Sequence, residues 1–433
     1  MKELLIKHAH VVDPSQGIDR ICDVWVKNGC ICSVGEASAE YHGSVLDASG
    51  LVLAPGLVDM HVHLRDPGFT QKEDILSGCS AAAAGGFTSI ACMPNSNPVC
   101  DNPDVVNYIV GRSQLALAKV YPVAAITKDL KSEELTNLSA LRAAGAVGIS
   151  DDGRPVLNNR LMLEALQSAE QEHLVVICHA EDLDIVNHGI MHKGEISRKL
   201  NVNGIDRASE DCATAATVAL AAASNTSVHI AHVSTKGSME IIRDAKRRGV
   251  KVTCETAPHY FALTHERLLK MSANNRMNPP LREESDRLAI LEGIADGTID
   301  CIATDHAPHT PSEKAEFETA PNGVIGLETS LAVSLTHLVH TGRITLSRLI
   351  ELMSCTPAEI LGIPAGTLKK GAPADLVLFD PNENWVVDPT KFRSKSRNTC
   401  FDKASVTGRV HAAMLNGAWS YQYQKENDDG KTH

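Results

Sequence analysis

The chain has 433 residues, enough for one large domain with a smaller companion, and 43% hydrophobic content supports a sizeable core. A formal net charge of -12 excludes partners that need a basic surface, so neither nucleic acid nor an anionic membrane is expected. The twelve cysteines are scattered without a C-x-x-C pair, which predicts reduced thiols, a cytoplasmic location and no cysteine-ligated zinc.

No apolar signal core follows Met1, and no apolar run approaches the roughly 18 residues of a membrane span. Residues 1–54 carry short β-type runs at 4–6, 24–26, 31–34 and 51–53, punctuated by Asp13-Pro14 and Asn28-Gly29. They predict a small β unit. After Pro55-Gly56 the texture changes. Apolar runs at 57–61, 88–92, 120–124, 147–149, 174–178, 227–231, 251–254 and 300–303 alternate with helix-like stretches, among them 161–172, 212–223, 238–248 and 286–295. Eight strands alternating with helices over 55–364 predict an α/β fold, a (β/α)8 barrel, with strands apolar on both faces. From 365 onward β texture returns at 374–379, 385–387 and 408–415, so 1–54 and 365–433 are expected to build one small β-sandwich together. Residues 424–433 read as a charged, mobile tail.

The chemistry sits just past the predicted strands. His61 and His63 follow the first, Asp152 the fourth, His179 the fifth, His232 the sixth and Asp305 the eighth. Strand ends of a barrel converge on one rim, so six ligand-type side chains far apart in sequence would meet there. In an extended segment His61, His63 and Arg65 share one face, with Asp59 in the same parity as a partner that orients a ligand. Two imidazoles suit a borderline cation such as zinc, and a carboxylate at Asp305 can both bind metal and relay protons. Each element has a plainer reading: a lone strand-end histidine is usually a hydrogen-bonded structural residue, and Asp151-Asp152-Gly153 is also a turn. Together they point to a metal-dependent hydrolase. Asn95 after the second strand reaches the same rim and Asn278 follows the seventh, the plainer reading of both segments being turns only, and residues 306–323, with His309 near their start, form either a lid or a solvated loop. No phosphate-binding loop, dinucleotide fingerprint or G-x-S-x-G elbow is present.

The motifs Pro55-Gly56-Leu57-Val58-Asp59, His61-Val62-His63-Leu64-Arg65-Asp66-Pro67-Gly68, Met93-Pro94-Asn95, Asn278-Pro279-Pro280-Leu281-Arg282, Thr304-Asp305-His306-Ala307-Pro308-His309 and Gly323-Val324-Ile325-Gly326-Leu327-Glu328-Thr329 resemble those of the cyclic amidohydrolases, and among them the dihydroorotases. The resemblance covers nearly the whole chain. It implies one or two zinc ions held by His61, His63, Asp152, His179, His232 and Asp305. Some relatives use a carboxylated lysine at strand four; here that segment, Gly145 to Gly153, has none, and Lys128 is not in the matching place. The aspartate-bridged dihydroorotase branch is the better match, and its spacing favours Asp152 over Asp151. Residue reading alone leaves that choice open.

The resemblance further implies reversible interconversion of N-carbamoyl-L-aspartate and L-dihydroorotate in pyrimidine biosynthesis. Metal-activated water would open the cyclic amide, and Asp305 would take its proton and hand it to the leaving nitrogen. Arg65, Asn95 and His309 would bind the substrate carboxylate, and Asn278 with the backbone at Asn322 and Gly323 the ring edge. It also implies a homo-oligomer or a complex with aspartate transcarbamoylase. The competing readings are a hydantoinase- or allantoinase-like amidase, and an inactive subunit that scaffolds aspartate transcarbamoylase.

Overall fold

A computed structural model describes residues 3–35 and 41–424, so the expected tail lies outside the described residues except for Gln424. The N-terminal part forms β1 (Glu3–Asp13), β2 (Ile18–Lys27), β3 (Cys30–Gly35), β4 (Ser44–Asp47) and β5 (Val52–Pro55). A register shift between Ile6 and Ala9 divides β1. Its first half pairs in parallel with β4 and its second half with β5.

One residue beyond β5 the chain enters the barrel. Its strands are β6 (Leu57–Val62), β7 (Phe87–Cys92), β8 (Lys119–Ala124), β9 (Gly148–Ile149) and β10 (Val175–Cys178). An excursion carrying the short parallel pair β11 (Met191–His192) and β12 (Gly204–Ile205) follows. The barrel then resumes with β13 (Val228–Ile230), β14 (Val252–Thr256) and β15 (Cys301–Ile302). Neighbours in this order are hydrogen-bonded in parallel, from β6 through β15. β6 and β7 are buried along their whole length, as strands covered on both faces must be.

Closure of the cylinder comes after β15. Val62 bridges to His306 in parallel, and the His63 N–H donates to the His306 carbonyl at 2.8 Å. Fully buried Asp59 reinforces the seam: its Oδ1 accepts from the backbone N–H of His61 at 3.0 Å and of Thr304 at 3.2 Å. One carboxylate therefore holds the first and eighth strands in the register that sets His61 against Asp305.

The outer helices run over Asn159–Gln171, Ala208–Ser224, Lys236–Arg247 and Glu284–Asp296. Each starts two to four residues earlier than the apolar period suggests. In two of them a side-chain cap places the first turn ahead of the buried stripe: Asn158 accepts from the N–H groups of Arg160 and Leu161, and Thr235 from that of Ser238.

Beyond the barrel, β16 (Leu376–Val386) lies antiparallel to β5, and β17 (Ser405–Leu415) and β18 (Ala418–Gln422) follow it outward. The two ends of the chain thus join in one eight-stranded sheet with its own apolar cluster, which includes Leu4, Ile6, Val24, Ile31, Leu53, Leu376, Leu378 and Met414. The two runs expected at 374–379 and 385–387 are one strand. The register shifts between Asp380 and Asn384, and the polar residues of that bulge, with Pro381 among them, break the apolar pattern. All twelve cysteines are free. Among the described residues no helix is long and apolar enough to cross a membrane.

Replacing Asp59 by Ala strips two buried N–H groups of their acceptor. Stability should fall by about 2–6 kcal/mol, at about 1–3 kcal/mol per orphaned group. A urea midpoint equal to that of the parent chain would refute the seam.

Candidate metal centre

The six ligand-type side chains meet at one rim. All are buried, at no more than 5% exposure. Asp152 is their hub: Oδ1 lies 3.3 Å from His61 Nε2, 3.4 Å from His179 Nδ1 and 3.4 Å from His232 Nε2, and Oδ2 lies 3.4 Å from His63 Nε2. Asp305 Oδ1 is 3.2 Å from His63 Nε2 and 3.8 Å from His61 Nε2. Two donor triads result, His61–Asp152–His232 and His61–His63–Asp305, each with ligand atoms within 4.8 Å of one another. They share His61.

Asp151 does something else. Its Oδ1 accepts from the N–H groups of Ile126 and Thr127 at 2.8 and 3.1 Å, and its Oδ2 from the Thr127 hydroxyl. It pins the loop after β8, while the adjacent Asp152 turns inward. Lys128 pairs with Glu134 at 2.6 Å on the exposed surface, away from the rim.

The outward nitrogens of three imidazoles are engaged, two of them by residues the sequence gave little reason to choose, while Asn95, expected on the substrate, contacts His63. His61 Nδ1 meets Glu255 Oε1 at 2.9 Å, His63 Nδ1 meets Asn95 Oδ1 at 2.8 Å, and His179 Nε2 meets Glu181 Oε2 at 3.0 Å. An acceptor there requires the N–H on that side and leaves the lone pair of the other nitrogen facing inward. Glu255 ends β14, buried in an otherwise apolar run, and Glu181 lies two residues past His179; a charged residue in a buried strand is the one signal that marked Glu255.

Inward lone pairs facing two carboxylates demand a positive charge. Among the described residues buried His61 Nε2 makes no aligned hydrogen bond despite Asp152 at 3.3 Å, and His179 Nδ1 and His232 Nε2 face each other at 2.9 Å. Burial alone would lower the affinity of His61 for a proton, but Asp152 and Glu255 hold it well above the ordinary imidazole range. Burial opposes a charged His179 too, yet Asp152 and Glu181 lift it to about 10. Conversely, burial would push the Asp152 carboxyl up, and His61, His179 and His232 hold it well below the usual range. The cluster is built for a cation in place of those protons. Its set of imidazoles and carboxylates fits a borderline divalent metal ion.

Arg65 reaches this mouth by a different route from the one expected. The pleat ends at Val62, and Arg65 sits at φ 60°, so strand alternation does not place it. His232 and Asp305 are also left-handed, at φ 34° and 47°. These are strained positions for residues with a Cβ, and they re-aim side chains where strands end. The Asp59 side chain likewise touches backbone and no imidazole.

Arg65 Nε donates to the Pro308 carbonyl at 3.3 Å, and its guanidinium lies 3.4 Å from His309 Nε2. Burial and the Arg65 charge push His309 down to about 3, so it is a neutral ring whose Nε2–H donates to the Asn322 carbonyl at 2.9 Å. Gly323, at φ 131°, has no room for a side chain: a Cβ would sit 2.8 Å from that of Ala307 and 3.1 Å from His309 Nε2. Asn278 donates through Nδ2 to Glu181 at 3.0 Å, leaving its Oδ1 buried without a partner. Residues 306–323 have a buried beginning and end, with Lys314, Phe317 and Ala320 also buried and Pro311, Ser312, Ala315, Glu316, Glu318 and Thr319 exposed between them.

Comparison with known proteins agrees with this geometry. Residues 50–238 match the family model described as dihydro-orotase-like. The dihydroorotase of Citrifermentans bemidjiense is 51% identical over 97% of this chain and 99% of its own. That of Geobacter sulfurreducens is 53% identical over 96% and 98%. The chain belongs to the dihydroorotase family. Among solved structures, L-hydantoinase from Arthrobacter aurescens superposes with a TM-score of 0.87 at 25% identity, covering 97% of this chain and 96% of its own. A D-hydantoinase, at 24% identity and a TM-score of 0.85, shares the fold. Dihydroorotase-family membership makes the chain a hydrolase of the cyclic amidohydrolase type.

Glu255→Gln keeps the shape but replaces the acceptor that orients His61. Metal affinity, measured by competition with a chelator, should drop about 10–100-fold. An unchanged affinity would remove Glu255 from this role.

Proposed function

We propose that the chain is a zinc-dependent dihydroorotase that interconverts N-carbamoyl-L-aspartate and L-dihydroorotate. The observation that carries this reading is the buried Arg65 guanidinium set 3.4 Å from the His309 ring at the mouth of the imidazole–carboxylate cluster, two donor groups with no acceptor between them among the described residues. A buried guanidinium beside a metal-type site suits a small cyclic amide that bears a carboxylate. Relatives named dihydroorotase at about half identity over nearly the full chain support it.

His61, His63, Asp152, His179, His232 and Asp305 would hold one or two zinc ions. When bound, zinc supplies a Lewis acid that polarises the amide carbonyl and acidifies water. The chain's own groups do the rest. Arg65 binds the substrate carboxylate bidentately, with Asn95 and His309 beside it. Asn278 and the backbone at Asn322 hold the ring edge; the Gly323 N–H and carbonyl expected there instead bond to the Arg276 carbonyl and to Lys314 and Asn398. In ring opening, water adds to the carbonyl carbon as the carbon–nitrogen bond breaks. Asp305 accepts the proton from water and delivers it to the departing nitrogen. The product then carries a free carbamoyl nitrogen and a new carboxyl group that loses water's second proton to solvent, and closure takes that proton up and retraces the same path.

Hydantoinase-type chemistry is the second reading, favoured by the hydantoinases among the structural neighbours. Against it stand the absent strand-four lysine and the presence of Arg65. A cytoplasmic location and assembly as a homo-oligomer, or with aspartate transcarbamoylase, complete the proposal; sedimentation with and without that enzyme measures the last.

Turnover of dihydroorotate, with none of hydantoin or allantoin, is the expected result for purified zinc-loaded protein. Activity confined to the latter two would overturn the reading. Asp305→Ala should lower kcat by at least about 100-fold, the lower end for loss of a proton relay. Arg65→Met should instead raise KM with metal content unchanged, and a parental KM would contradict the carboxylate contact.

A further inference from the structure

The loop that carries His309 is held by a buried charge outside the reacting groups. Lys314 is 9% exposed, and its ammonium donates to three backbone carbonyls: Pro321 at 2.9 Å, Gly323 at 2.9 Å and Arg276 at 3.3 Å. An ammonium has three N–H donors, and all three are used. Two of these carbonyls flank Asn322, whose own carbonyl receives His309 Nε2. The third belongs to a residue two positions before Asn278, and it also accepts the Gly323 N–H at 2.9 Å. The Arg276 side chain adds a second brace, donating to the Glu318 carbonyl at 3.0 Å and to Asn322 Oδ1 at 3.2 Å. From outside the barrel, Asn398 donates to the carbonyls of Ala307 and Gly323 at 3.1 Å and accepts from the His309 N–H at 3.1 Å.

From this geometry we infer that Lys314 is a positioning residue for substrate binding, whose ammonium fixes His309 and Asn278 relative to Arg65. The inference rests on the dihydroorotase reading. Only the charged form supplies three donors, and a neutral amine supplies two. Burial and the Arg276 guanidinium push the Lys314 amine down to about 7, opposed by Cys400 on the C-terminal side and Glu313 on its own loop; neutral His309 lies nearby. The staple is therefore intact below about pH 7 and weakens as pH rises through that value.

The test uses full-length, zinc-loaded protein and dihydroorotate. For the parent chain, KM should rise as pH increases through about 7 to about 9, while metal content stays constant. Lys314→Met should raise KM by about tenfold or more with kcat within about threefold, and should flatten the pH dependence of KM. Lys314→Gln, whose amide keeps two donors, should recover part of the loss. If Lys314→Met does not fold, Lys314→Gln and the parental pH profile decide. A parental KM in the variants, or a parental KM that is flat with pH, overturns the inference. A fall in kcat with lost zinc at unchanged KM also overturns it, since that is a general structural effect. A parent chain inactive on dihydroorotate removes the function itself, whereas an active parent with an unmoved KM in the variants removes only the role of Lys314.

Discussion

One buried carboxylate facing four imidazoles is the constraint on which the rest of the structure turns. Asp152 lies 3.3–3.4 Å from nitrogens delivered by β6, β10 and β13. Such an assembly is unfavourable by itself, because burying charge costs several kcal/mol per ion unless partners compensate. The compensation is spread over the fold. Glu255 and Glu181 accept from the outer nitrogens of His61 and His179, and burial on all sides strengthens each of these interactions. What the protein alone leaves unmatched is a set of inward lone pairs, and a divalent cation matches them.

That arrangement explains why the barrel must close as it does. His61 and Asp305 stand on the first and last strands, so their relative position depends on the seam. Asp59 ties the backbones of both strands to one oxygen, and the His63–His306 hydrogen bond continues the pairing beyond β15. Left-handed backbone at Arg65, His232 and Asp305 then turns side chains inward where the regular pleat has ended. Strain at these positions is sustained because the packed strands below leave the chain no other exit.

Segments outside the barrel also reach the mouth. Glu73, on the loop after β6, accepts from the Ser394 hydroxyl and the Lys395 N–H, and Ser396 donates to the Lys72 carbonyl at 2.8 Å. Asn398 continues this clasp onto the loop after β15. The stretch between β16 and β17 thus braces the two loops that carry Arg65 and His309. The connection between two strands of the sheet built from the chain ends supports the mouth of the metal-type site.

Much of this was legible in the sequence. Eight apolar runs alternating with helical periods specify a parallel barrel, since only such strands are buried on both faces, and polar residues at their ends then share one rim. His61, His63, His179, His232 and Asp305 could be named on that basis alone. The choice of Asp152 over Asp151 could not, because neighbours in a turn point in directions set by backbone angles that composition does not encode. Nor could Arg65 be placed by alternation, since the strand stops three residues before it. Glu255, Lys314 and Asn398 are ordinary polar residues until folding sets them against His61, the Pro321 and Gly323 carbonyls and His309. The chain by itself determined which side chains line the rim, because burial follows local periodicity. Only the tertiary structure decided which nitrogen faces inward and which loop is stapled, because those depend on hydrogen bonds between residues as much as 194 positions apart.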